Sequence, residues 1–284
     1  MSAAIARGLD ARRFYWLLVL PAVLAMAAFY LWPLAKVLWI SVTDPVPGLQ
    51  NYERLLTSEA AQRVMRTTAR ISLMTTAITL VLGYVLAYAM VHAGPRLLRW
   101  LTFLVLLPLW ISVLVRAFAW VTLLRSNGLV NTWLQQAGLV DAPVALLRNE
   151  LGVMIGMVHY MIPFAVLPLY AGMRGIDLRL VAAARGLGAG PWEAFARVFL
   201  PLSMPGVVGA GMLVFIFSLG FYVTPAILGG GRVLMVSEYI GVQILNTVRW
   251  GFATMLASTL LFCVVLVLAG FARVVDLRRL FGAR

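Results

Sequence analysis

Long apolar runs alternate with shorter polar stretches along the whole chain. Six of them reach the ~20 residues that a helix needs to cross ~30 Å of hydrocarbon. They lie at about Phe14–Trp39, Thr68–Val91, Leu101–Leu124, Leu151–Met173, Pro205–Thr224 and Phe252–Val274. The pattern predicts an all-α polytopic membrane protein with six transmembrane helices. The first run follows Arg7, Arg12 and Arg13, and Ala25-Met26-Ala27 has the small-x-small form of a signal-peptidase site. Its apolar character continues to about Val42, too far for the core of a signal peptide, which predicts a retained span.

The polar stretches differ in kind. Thr43–Thr67 is long enough to hold a short surface helix, and His92–Trp100 is a tight turn punctuated by Gly94-Pro95. Arg125–Glu150 places Gly128 and Asn131 before Thr132-Trp133-Leu134, which reads as a short interfacial helix. Pro225–Gly251 carries Gly229-Gly230-Gly231, a flexible connection. The stretch from Asp177 to Gly206 is the most organised of the set. Asp177 suits the N-cap of a first short helix, and Gly186, Gly188 and Gly190 end it. Gly190-Pro191 restarts a helix with proline at its first position and Glu193 in its first turn. Trp192, Phe195, Ala196 and Phe199 then share one face. Pro201 and Pro205 are expected to bound the next span. Ala182-Ala183-Ala184 and the glycines leave bare backbone. The stretch is either an ordinary interfacial connector or a surface that another protein approaches closely.

Charge orients the spans. Of the 284 residues, 63% are hydrophobic, 23 are basic and 10 acidic, for a net charge of +13; Lys36 is the only lysine. With the N-terminus inside, 13 basic residues fall on the cytoplasmic side and 10 on the other; four acids lie inside and six outside. The cytoplasmic side therefore holds 13 − 4 = +9 and the outer side 10 − 6 = +4. Both termini are predicted to be cytoplasmic. The arginines flank apolar runs, which assigns them to orientation rather than to nucleic acid. The one cysteine, Cys263, sits in an apolar run and has no intramolecular partner.

Two ionisable residues fall within spans. Arg116 stands ~22 Å from the inner edge of the third, where it either snorkels outward or lines a solute path. His159 lies near the middle of the fourth beside Tyr160, as a packing residue or as part of a path or gate. Pro108, Pro163 and Pro168 permit kinks in their spans. Gly206, Gly209 and Gly211, and the pair Gly152 and Gly156, permit close helix packing. The sequence has no G-x-x-x-x-G-K-[ST] phosphate loop, no acid pair within a span, no metal cluster of ordinary spacing and no legible nucleophile–base set. This argues against a membrane enzyme and against a self-sufficient ion-coupled transporter. Uphill transport would draw its energy from another chain.

Ala182-Ala183-Ala184, Gly188 and Leu200-Pro201 fall where a recurrent loop pattern has Glu-Ala-Ala, a near-fixed glycine and a distant Leu-Pro. The stretch resembles the cytoplasmic EAA loop of permease subunits of binding-protein-dependent ABC importers. Further stretches match in order: Asn51-Tyr52, Leu107-Pro108-Leu109-Trp110-Ile111-Ser112, Leu114-Val115-Arg116, Gly128-Leu129-Val130-Asn131, Ile155-Gly156-Met157-Val158-His159, Leu167-Pro168-Leu169-Tyr170, and Thr224-Pro225-Ala226-Ile227-Leu228-Gly229-Gly230. From about residue 50 to 260 the chain is similar to the spermidine/putrescine permease branch, B-type subunit.

The resemblance implies a type I importer fold and an inner-membrane location. Residues 1–66 would hold the N-terminal segment, first span and outer loop; 67–275 the permease domain, with a coupling loop at 174–204; and 276–284 a cytoplasmic tail. A second permease would complete a heterodimer. Two ATPase subunits, holding ATP and Mg, would drive it, and an extracytoplasmic binding protein would deliver solute. The chain itself would bind no cofactor and no metal, and would contact lipid but no nucleic acid. The coupling residues implied are Ala182, Ala183, Ala184, Arg185, Gly186, Leu187, Gly188, Ala189 and Pro201. Candidates for the solute path are Trp110, Arg116, Trp120, His159, Tyr160, Tyr222 and Thr224. Two departures stand out: Ala182 occupies the motif's Glu position and Gly186 a second position that is often acidic. The first solute implied is a polyamine; an opine, an amino-acid derivative, a phosphonate or iron are the alternatives within the branch.

Overall fold

The structure, a computed structural model, describes residues 15–274. The expectations for Arg7, Asp10, Arg12, Arg13 and Phe14, and for the tail at 276–284, lie outside the described residues. In chain order the helices are α1 (Tyr15–Thr43), α2 (Gln50–Thr57), α3 (Glu59–His92), α4 (Pro95–Trp110), α5 (Val113–Leu124), α6 (Leu129–Gln136), α7 (Glu150–Arg174), α8 (Leu178–Gly186), α9 (Pro191–Leu219), α10 (Val223–Gly229), α11 (Val236–Leu245) and α12 (Trp250–Val274). Among the described residues there are six candidate membrane spans: α1, α3, the segment Val113–Gln136, α7, α9 and α12. The surface helix expected between spans one and two is α2, whereas α6, expected as an interfacial helix between spans three and four, falls inside the third candidate span.

The centre of the bundle is α3, α7 and α9 packed side by side. Lipid is as apolar as leucine, so close fit rather than dehydration holds such helices together. Small residues supply the fit. A Cβ on Gly83 would sit 3.0 Å from that of Ala165, and Gly172 faces Gly206 across the α7–α9 contact. Gly211 lies under Leu80, whereas Gly209 has no close neighbour. Around these contacts Met90, Met161, Leu169, Met173 and Phe199 are buried. A second layer of Ile71, Val153, Met157, Leu228 and Met235 lies toward the other end of α3 and α7. The apolar side chains of α1 from Tyr15 to Leu24 are largely exposed, as expected for a helix bathed in lipid.

The third apolar run is not one helix from Leu101 to Leu124. α4 starts earlier, at Pro95, and stops at Trp110; Ile111 and Ser112 are extended, and α5 begins at Val113. Pro108 has no N–H for the carbonyl of Leu104, and the chain closes one turn later, where the Ile111 N–H reaches the Pro108 carbonyl at 3.3 Å. The second run is longer than expected. α3 starts at Glu59, where Ser58 caps it by accepting the Ala61 N–H, and its polar first turns extend it beyond the apolar stretch.

The fifth span neither starts at Pro205 nor ends at Thr224. α9 is continuous from Pro191 to Leu219, with Pro201 and Pro205 inside it. A five-residue π turn at Phe195–Phe199 makes this possible. The Pro201 ring bears on the carbonyl four residues back, Arg197, which lies inside this wide turn. α1 repeats the device: a π turn at Ala27–Leu31 precedes Pro33. Beyond Leu219 the chain breaks at Gly220 and resumes as α10, so Thr224 belongs to a separate short helix. The stretch 225–251 is likewise more ordered than a flexible connection. Gly230 and Gly231 make a left-handed turn (φ +53° and +76°) between α10 and α11. α11 is pinned to α3 where Thr68 Oγ1 accepts the Val236 N–H at 2.8 Å.

Candidate functional site

Two regions carry the residues singled out in the sequence. The first is the loop between α7 and α9. Asp177 caps α8 by accepting the Arg179 N–H at 2.9 Å. α8 runs to Gly186, and the N–H groups of Leu187 and Gly188 return to the carbonyls of Ala183 and Arg185. Gly188 has φ +96° with no neighbour near its α-carbon, so backbone conformation alone calls for glycine there. Gly190 is extended, and Pro191 restarts α9 at its first position. Ala182, Ala183, Arg185, Gly186 and Leu187 are exposed, Leu187 to 91%; Ala184 and Ala189 are half-buried. Pro201 lies apart from them, inside α9.

The loop encloses a hollow of ≈360 Å³ lined by Leu187, Gly188, Ala189, Glu193 and Arg197 among others. Glu193 pairs with Arg197 at 2.8 Å, an exposed i,i+4 contact of about 0.3–0.5 kcal/mol. Trp192, Phe195 and Phe199 form a ladder of rings, 5.4 and 6.1 Å between successive centroids. Tyr88 of α3 meets Phe195 and Phe199 edge-on. The ladder fixes the loop to the bundle and leaves Trp192 exposed at its end.

The second region lies between the two helix interruptions, at Ile111–Ser112 and at Gly220–Tyr222. Arg116, in the first turn of α5, does not snorkel outward: it is 9% exposed, with Cζ 4.4 Å from the centre of the Tyr160 ring on α7. Its Nε and Nη1 find no hydrogen-bond partner among the described residues. Trp120, one turn along α5, donates its ring N–H to His159 Nδ1 at 3.2 Å. Tyr160 also packs on Phe221, 4.5 Å between centroids. The structure thus brings Arg116, Trp120, His159 and Tyr160 together. Thr224 is buried nearby, where α10 presses so close to α7 that a Cβ on Gly156 would stand 2.6 Å from Thr224 Cγ2. Tyr222 faces Gly241 of α11 and is part-exposed. Trp110 is separate; it is 73% exposed and, among the described rings, meets Phe103. Phe221 was not singled out from the sequence. Its position beside Gly220, at the end of an apolar run, was the available signal.

Residues 60–279 match the family described as "Binding-protein-dependent transport system inner membrane component". The spermidine/putrescine transport system permease protein PotB of Haemophilus influenzae is 36% identical over 206 residues, 72% of each chain. PotB of Escherichia coli is 32% identical over 75% of this chain and 77% of its own length. A molybdenum transport system permease protein, ModB of Azotobacter vinelandii, is 29% identical over 68% of this chain and 83% of its own length. Among solved structures, a chain of a bacterial alginate ABC transporter in complex with a pentasaccharide-bound periplasmic protein superposes with a TM-score of 0.76. It is 20% identical, and 98% of both chains is covered. That likeness shows the fold.

Proposed function

Because the chain belongs to the family of binding-protein-dependent transport inner-membrane components, and is thus a multi-pass permease subunit of an ABC importer and not an enzyme, we propose that it forms half of the path for a polyamine of the spermidine/putrescine kind. The partner in the membrane is a second, similar permease. Two ATPase subunits holding ATP and Mg bind at the α8–α9 loop on the cytoplasmic side, and an extracytoplasmic binding protein delivers solute at the opposite end. The observation that carries the coupling role is the exposed backbone from Ala182 to Gly188, turned by a glycine at φ +96° and joined directly to a span. The loop lacks the acids at positions 182 and 186, so docking rests on shape and on backbone contact, with Arg179 and Arg185 supplying charge.

The polyamine reading is supported by the two PotB relatives, and Trp120 and Tyr222 offer ring faces to an ammonium group. In reconstituted proteoliposomes, uptake of labelled spermidine or putrescine should need ATP, the binding protein and every membrane subunit. Uptake by this chain alone without ATP would overturn the importer mechanism. ATP-dependent uptake of another solute, with spermidine and putrescine refused, would overturn the polyamine assignment.

A further inference from the structure

We propose that Glu238 is the carboxylate that takes an ammonium group of the transported solute, with the ring of Tyr222 beside it as a second, cation–π contact. The assignment rests on the permease and polyamine readings above and deepens them by naming where this subunit meets the solute's charge. Among the described residues two charged side chains are buried, Arg116 and Glu238, and no ion pair joins them. Glu238 is 8% exposed, and its Oε2 is buried with no hydrogen-bond partner among the described residues. An unanswered buried carboxylate costs the empty protein stability, and a glutamine or an apolar residue would fill the same space at lower cost. The cost is recovered when a cation arrives.

The cations around α11 are engaged elsewhere. α11 is tied to α3 where the Val236 N–H meets Thr68 Oγ1. On either side of Thr68, Arg66 donates to the Gln62 carbonyl and Arg70 pairs with Glu150. Arg249, before α12, lines the hollow that also contains Asp44 and Tyr239. Arg116 rests on the Tyr160 ring. Helical period sets the face on which Glu238 stands. Val236, Tyr239 and Ile240 hold α11 to α3 and α12. Glu238 and Gly241, at i and i+3, are neighbours on the other side. There Tyr222 closes on Gly241: a Cβ at Gly241 would stand 3.5 Å from Tyr222 Cε2 and 3.7 Å from its hydroxyl oxygen. Tyr222 belongs to the break between α9 and α10 and is 45% exposed, and Ser237 and Gly241 are half-buried. Irregular backbone of this kind is tolerated where protein encloses it or where it lines a watery cavity. Thr68 stands at the outer end of the apolar run of α3, so carboxylate and ring lie toward the side where a binding protein releases solute. This subunit itself encloses the carboxylate, and a slim alkylammonium needs less room to reach it than a branched guanidinium from a neighbouring subunit. The carboxylate accepts the N–H groups of the ammonium, and the ring face attracts its charge.

The test uses the whole complex, this chain with its second permease and ATPase subunits, in lipid nanodiscs. The pH is held above the carboxyl's raised value of about 7, so that the acid is ionised. The probes are spermidine and putrescine, with the uncharged diol of putrescine's carbon chain as the control. The readout is the thermal unfolding midpoint as a function of probe concentration. Both amines should raise the midpoint of the wild-type complex, the diol should not, and Glu238→Gln should need at least tenfold more amine for the same shift. Glu238→Asp, which keeps the charge and guards against a folding failure, should retain more of the response than Glu238→Gln. Tyr222→Leu should weaken the response and Tyr222→Phe preserve it. Without amine, the Glu238→Gln midpoint should equal or exceed that of wild type; a merely structural carboxylate would lower it. An amine response unchanged in Glu238→Gln would overturn the assignment while leaving polyamine uptake, and so the reading above, intact. Separation of the two permeases in Glu238→Gln would also overturn it, by giving the carboxylate a cation on the neighbouring subunit. Failure of the polyamine reading would appear in uptake instead, as spermidine and putrescine refused while another solute enters with ATP.

Discussion

The carboxylate of Asp44 accepts the backbone N–H of Gly251 at 2.7 Å, joining the end of α1 to the first turn of α12. An acid from a distant part of the chain thus serves the start of the last span as a cap. Asn51 completes the junction, donating through Nδ2 to the carbonyls of Ser41 and Asp44 at 3.1 and 2.7 Å. A Cβ on Gly251 would overlap the Asp44 carbonyl oxygen. Asp44→Ala should therefore destabilise the protein by about 0.5–2 kcal/mol, the range for a lost helix cap, and Asp44→Asn by less. Gly251→Ala should cost at least as much through overlap. Thermal unfolding of the purified subunit in detergent checks the order; an Asp44→Ala midpoint equal to wild type would remove the cap from the account.

The contact between α7 and α10 is set by Gly156. A methyl group there would overlap Leu228 Cδ1 and press on Thr224. Gly156→Ala should destabilise by about 1–3 kcal/mol, the usual cost of overpacking. Leu228→Ala on its own opens a cavity and also destabilises. Combined, the two should recover part of the loss, because each relieves the other's defect. Simple additivity in the double variant would show that the two helices do not meet as described.

Gly188 separates conformation from stability. Its left-handed backbone costs a side chain about 1–2 kcal/mol locally, yet the site is exposed and the loop lies outside the buried core. Gly188→Asp should leave membrane abundance near wild type while uncoupling ATP hydrolysis from uptake. The measurements are subunit abundance, ATPase rate and solute uptake in the same proteoliposomes. Normal uptake would exclude close docking at this backbone.

Glu238 lies on α11, outside the six spans, and burial raises its carboxyl from 4.5 to about 7. In the folded protein it holds its proton over a range where the unfolded chain has lost it. Its effect on stability is therefore most favourable below about pH 4.5, declines as pH rises toward about 7, and is level above that. Glu238→Gln should flatten this part of the stability curve and raise the unfolding midpoint on its alkaline side. Midpoints taken from about pH 5 to about pH 8 decide it; parallel curves for the two proteins would refute the shift.

Features with a local cause were legible in the sequence. Asp177 caps α8 and Gly190-Pro191 starts α9 because those residues act on the backbone beside them. The apolar runs were legible for the same reason, since length and composition alone fix a span. What escaped depends on residues far apart. Nothing local states that α9 passes through Pro201 and Pro205, because a wide turn at Phe195–Phe199 takes up the proline. α11 was hidden because its apolar positions face different neighbours, with Val236 tied to Thr68 and Tyr239 set against Phe252. Arg116 left two directions open in the sequence; the ring of Tyr160 on α7 closes one of them. Gly156 was visible as half of a small-residue pair, but only Leu228 and Thr224 reveal what it accommodates.

The unbroken course of α9 has a mechanical consequence. Twenty-nine residues from Pro191 to Leu219 make one continuous helix of ~44 Å, with the π turn at Phe195–Phe199 and two prolines inside it. Its first break is at Gly220, beside which Phe221 packs on Tyr160. A single helix thus ties the exposed Trp192 of the peripheral loop to the cluster of Phe221, Tyr160 and Arg116 beyond its far end.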